Sequence, residues 1–132
     1  FAYVLARTQV IDTGVYHALR DAAFSAASPS FADAFVRAIF AGWLIALMVW
    51  LMPYAESARL WVIVILTYIV GLAHFTHVIV ATVEMGFLVF TGDIGWGPFF
   101  VDAFVPGLLG NIAGGVALAA ALNHAQIVAG HD

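Results

Sequence analysis

Residues 60–90 read LWVIVILTYIVGLAHFTHVIVATVEMGFLVF. Apart from Glu84 the stretch carries no formal charge, and a helix needs roughly 20 such residues to cross the hydrocarbon core of a bilayer. Thirty regular helical residues would run roughly 45 Å, which exceeds the roughly 30 Å core. The segment therefore tilts and protrudes, or it is interrupted. Gly71, set among β-branched residues, predicts an interruption. Irregular backbone at membrane depth is stable only where it meets protein or a watery cavity, so the break is itself a pointer to function.

The rest of the chain fits a membrane setting. Of 132 residues, 64% are apolar, and the charges are 4 Lys+Arg against 8 Asp+Glu. Soluble domains carry about a quarter of their residues as charges. Further charge-free runs cover Ala38–Ala55 and Ala103–His131, giving three full spans. Phe1–Arg7 reads as the end of a fourth. Residues 8–33 read as a loop, in which Asp12–Phe24 places Val15, Leu19, Ala22 and Ala23 on one face of a short interfacial helix. Ser28-Pro29-Ser30 punctuates the chain, and Ser30 or Asp33 is positioned to cap the following helix. The fold expected is an all-α polytopic membrane bundle forming one domain over 1–132, its second full span broken and its third starting near Asp102. A net charge of −4 excludes a basic nucleic-acid-binding surface, and the absence of cysteine excludes disulfides and thiolate metal sites. No nucleophile–base pair of an enzyme is visible.

Ionisable groups inside a span are costly and face a protein interior or a pathway. The second span holds His74, His77 and Glu84. On a continuous helix His77 and Glu84 share a face, and His74 lies about 60° from His77. A histidine there can exchange a proton near neutral pH, or simply hydrogen-bond to backbone. His74-x-x-His77 also allows a metal or haem ligand pair, although a zinc site needs three or four donors. In the third span, Gly107, Gly110, Gly114 and Gly115 with Ala113 form a packing face, and Asn111 can bond a neighbouring helix or a solute. Asp33, Asp93, Asp102 and the arginines read as solvated ends, and Trp96, Phe99 and Phe100 as interfacial anchors.

Three segments then carry a resemblance. Pro106-Gly-Leu-Leu-Gly-Asn-Ile-Ala-Gly-Gly115 resembles the Pro-x-x-x-Gly-Asn-x-x-Gly-Gly motif in the last helix of the formate/nitrite transporter family. Phe75-Thr-His77 is similar to Phe-Glu-His in that family's broken fifth helix, and Leu47-Met-Val-Trp50 to a Leu-x-Val-Trp run in its fourth. The resemblance implies that 1–132 corresponds to the C-terminal half of a six-helix, pentameric channel for small monovalent anions such as formate or nitrite. His77 would be its pore histidine, a proton donor or gate. Thr76 stands where the family has an acid, Ala81 and Gly42 where it has asparagines, and Val70 where an aromatic is common. Glu84 has no counterpart in the motif.

The resulting expectation is a channel or transporter subunit in the cell (inner or plasma) membrane. It acts as a homo-oligomer, without cofactor or nucleic acid, on small anions or their neutral acids. The expected path is lined by His77, Thr76, Phe75, Val70, His74, Glu84, Asn111 and Gly42. A haem- or metal-binding membrane protein and a non-conducting scaffold are the competing readings.

Overall fold

The computed structural model of the protein describes residues 1–8, 10–27 and 30–129. The Ser28-Pro29 punctuation and His131 lie outside them. No strand occurs among the described residues, and the helices run α1 (Ala2–Arg7), α2 (Thr13–Ala27), α3 (Phe31–Leu51), α4 (Arg59–Leu72), α5 (Val78–Thr91), the single turn α6 (Trp96–Pro98) and α7 (Val105–Ala129). A wide π-helical segment, Phe99–Phe104, joins α6 to α7.

Phe31–Leu51 and the joined helix Trp96–Val128 are each long and apolar enough to cross a membrane. The span between them consists of two 14-residue helices, α4 and α5, each about 21 Å long. Together they replace the single overlong helix that 60–90 would otherwise form. The third span begins at Trp96 rather than near Asp102. Pro98 lacks an N–H and is therefore accepted in a first helical turn, and the π segment carries the chain on into α7 without a stop. Phe99, expected at an interface, is 6% exposed in the core, because the π segment turns it inward.

Helix boundaries follow local chemistry. The Ser30 hydroxyl accepts from the Asp33 backbone N–H at 3.2 Å and donates to the Asp33 carboxylate at 2.8 Å, a reciprocal cap that starts α3. At the other end of α3, Arg59 donates from Nε to the Met52 carbonyl at 3.2 Å, closing the short turn into α4. Gly92 ends α5 at φ +88, a left-handed conformation that glycine adopts without penalty.

Two packing units result. In one, α3 lies along α7 in the largest helix–helix contact among the described residues, with α4 beside α3. The α3–α7 contact is backbone against backbone. A methyl placed on Gly110 would stand 2.5 Å from both the Ala38 methyl and the Phe35 carbonyl oxygen, and one on Gly114 would strike the main chain of Ile39. Small residues give helices this approach in lipid, where packing and hydrogen bonds supply the attraction.

The second unit gathers α1, α2 and the π segment around α5. Its core is Ala23, Met85, Phe87, Leu88, Phe99 and Ala103, flanked by Leu5, Tyr16, Leu19 and Phe104. The buried face of α2 is thus Tyr16, Leu19, Ala23 and Ala27, whereas Val15 is 56% exposed and Ala22 is exposed. The face is rotated from the one expected because Tyr16 meets Phe87 edge-on, with ring centroids 5.3 Å apart.

The close contact makes a sharp comparison between two neighbouring glycines. Gly114→Val is expected to abolish accumulation of folded protein in the membrane. Gly115→Ala, whose added carbon would lie 3.9 Å from the Gly42 carbonyl oxygen, is expected to accumulate normally. Fluorescence-detected size exclusion of the detergent extracts checks both.

Candidate functional site

The break between α4 and α5 lies at residues 73–77, slightly beyond Gly71, which is still helical. His74, at φ +51, makes the left-handed step, a conformation histidine tolerates better than most non-glycine residues. The Phe75 N–H then reaches back to the Val70 carbonyl at 3.0 Å. Phe75 stacks on Phe40 of α3, with centroids 5.5 Å apart and planes 21° from parallel.

Opening the helix frees the Thr76 carbonyl and the Val78 N–H, and one side chain satisfies both. Asn111 Oδ1 accepts from the Val78 N–H at 3.0 Å, while its Nδ2 donates to the Thr76 carbonyl at 3.1 Å and to the Ala38 carbonyl of α3 at 2.7 Å. Both amide hydrogens are used. Gly42 makes room for this residue, since a side-chain carbon there would collide with the Asn111 main chain.

His77 is the N-cap of α5: its Nδ1 accepts from the Ile79 N–H at 3.3 Å. An accepting Nδ1 carries no proton, so the neutral ring presents Nε2–H as a donor. A second proton must enter at Nδ1 and break the cap bond.

A cleft of about 930 Å³ lies along the break. It is lined by Ala22, Ser25 and Ala26 from α2, Arg37 and Ile45 from α3, and Thr67, Val70 and Gly71 from α4; the break and α5 add Ala73–His77, Val80, Ala81 and Glu84. Six of the eight expected path residues therefore meet there: His77, Thr76, Phe75, Val70, His74 and Glu84. Asn111 and Gly42 are not among the lining residues, because the Asn111 amide is committed to backbone and Gly42 is the space it occupies. His77 and Glu84 keep their seven-residue spacing on α5, but the left-handed step takes His74 out of their helical frame. Among the described residues no three His, Cys, Asp or Glu side chains converge as metal donors.

Residues 1–125 match the formate/nitrite transporter family. The chain belongs to this family. Over 95 residues it is 43% identical to the inner membrane protein YfdC of Escherichia coli (strain K12), a match covering 72% of the chain and 31% of that relative. The chain thus spans about a third of the length of the curated relative it matches. No solved structure matches it. A formate/nitrite transporter family chain with these helices is an integral membrane protein.

Arg20 and Asp93, which read as solvated ends in the sequence, pair with each other. Arg37 is exposed and also lines the cleft. The signal for it was the Ser30–Asp33 cap, which starts α3 more than a turn before Arg37 and so places this arginine within the helix. Arg20 of α2 forms a bidentate ion pair with Asp93, donating from Nε to Oδ2 at 3.0 Å and from its terminal nitrogen to Oδ1. Thr91 donates its hydroxyl to the same carboxylate at 2.7 Å. Hydrogen bonds from Arg20 and Thr91 hold the Asp93 carboxyl below its usual range. Thr67, Ile45 and the α2 residues of the lining gave no sequence signal.

The two polar ties give separate expectations. Asn111→Leu leaves the Thr76 carbonyl and Val78 N–H unpaired and is expected to lower stability by about 1–3 kcal/mol, read as a lower thermal transition in detergent. For Asp93, a depressed carboxyl pKa contributes stability that is complete above the ordinary value of about 3.9 and lost as pH falls through the folded-state value. Asp93→Asn is expected to melt slightly lower than the parent near neutrality and to lose this acid-dependent component, as followed by melting curves across acid pH. The effect is small because the pair is partly exposed.

Proposed function

We propose that the chain supplies the His77 wall of a transmembrane path for small monovalent anions of the formate or nitrite kind, or for their neutral acids. The observation that supports it is an imidazole at the interruption of a membrane helix, capping the second half-helix and facing a cleft. Around it Val70 and Phe75 are apolar. An anion entering such a stretch without compensation is strongly disfavoured, whereas its protonated form is not. An imidazolium, formed when the ring takes a second proton from water, gives that proton to the anion and is left neutral, which removes the barrier; water protonates the ring again afterwards.

The remaining walls come, in this reading, from the rest of a longer protein, placed like the relative in an inner membrane and assembled as a homopentamer. Asn111 and Gly42 serve the path at one remove, by holding the break in which His77 stands.

Asparagine is a strong N-cap residue, so His77→Asn retains the start of α5 while removing the titratable ring. In the full-length protein reconstituted into liposomes, this variant is expected to fold normally and to lose the pH dependence of formate or nitrite uptake. Uptake as large and as pH-sensitive as that of the parent would overturn the role of His77.

A further inference from the structure

We propose that Gly71 sets the width of the path beside the break, and with it the largest anion that passes. The proposal rests on the reading of the cleft as an anion path and adds the residue that limits what enters it.

The helix itself gives no reason for a glycine at this position. From Leu60 to Leu72 every other residue of α4 carries a long or branched side chain. Glycine costs a helix stability relative to alanine, because it has more conformational freedom to lose. A left-handed backbone would justify that cost, but Gly71 is helical and the left-handed step of the break falls on His74. Close packing would justify it too. At Gly42, Gly110 and Gly114 an added side-chain carbon would strike a neighbouring helix, whereas at Gly71 it would meet no surrounding atom within 4 Å among the described residues. The Gly71 carbonyl accepts from the His74 N–H at 3.1 Å, a bond that any residue type supplies equally. The need that remains is room for something other than protein, and Gly71 lines the cleft.

The residues beside it show what a side chain there would do. Thr67, Val70 and Gly71 all line the cleft, at spacings of three and four that share one face of a helix. The Thr67 hydroxyl donates to the Ile63 carbonyl at 2.6 Å, so α4 offers the cleft no free O–H and acts on it by shape. Val70 narrows that face with a branched side chain, and Gly71 leaves a gap next to it, three residues before the chain turns at His74. A methyl on residue 71 takes its volume from the cleft, since no other atom claims the space. Formate, with no carbon beyond its carboxylate, needs that volume least, and an anion with a carbon tail needs it most.

The test uses the full-length protein in liposomes, with formate, acetate and propionate as probes, a series that grows one carbon at a time. Gly71→Ala is expected to melt at or above the temperature of the parent in detergent, because alanine favours helix. It is expected to lower uptake of the largest of the three anions that the parent passes by about tenfold relative to formate, the discrimination one carbon makes in an apolar site. Gly71→Val is expected to lower uptake of all three, formate least. Uptake ratios equal to those of the parent in both variants, with His77→Asn still altering the pH dependence, would overturn the role of Gly71 and leave the His77 reading standing. A Gly71→Ala protein that melts well below the parent or does not accumulate counts against the role as well, since Gly71 is then a packing position for the rest of the longer protein. So does a parent that admits formate alone. A parent that passes none of the three anions would sink both readings.

Discussion

A helix that opens within a membrane protein must find partners for the backbone groups it releases, because lipid offers none. Here the Asn111 amide meets that requirement. Its oxygen takes the Val78 N–H, and its nitrogen reaches the Thr76 and Ala38 carbonyls. Without these bonds the lowest-energy course for residues 60–90 is to remain helical throughout. The position of the break, the left-handed turn at His74, the new N-cap at His77 and the cleft beside them all depend on this one side chain.

The amide can reach across because α3 and α7 are almost in backbone contact. Gly110 and Gly114 bring the two axes together, and Gly42 removes the side chain that would occupy the place of Asn111. The glycines act indirectly, setting the distance over which a short side chain can bond backbone groups of two other segments, the break and α3. The other packing unit, α1 and α2 around α5, is held by apolar contacts, with the Arg20–Asp93 pair at the far end of α5. The cleft follows the seam between the units, which is why its charged residues come from both.

Much of this was legible in the sequence. An overlong apolar segment containing two histidines and a glutamate announced a broken span, and the spaced glycines of the last helix announced close packing. The exact site of the break was less visible. Gly71 was the obvious weak point, yet the helix opens a few residues later, where Asn111 can reach the backbone, and that is a property of a helix more than thirty residues away in sequence. Arg37 is exposed, as a charge beside a hydrophobic run suggests, but its place on the cleft lining was hidden for a related reason: the Ser30–Asp33 cap begins the helix before it and so sets which neighbours it meets. The rotated face of α2 depends on Tyr16 finding Phe87, a contact that periodicity within one helix cannot reveal.

The bonds from Asn111 end on main-chain atoms of residues 76 and 78, never on their side chains. Every residue type except proline at 78 presents the same carbonyl and N–H there, so the break is indifferent to what residue 76 carries. An acid, as the family resemblance has it, or the threonine found here can occupy that position while the surrounding architecture stays the same. The chemistry beside the histidine can thereby change without rebuilding the scaffold that holds it.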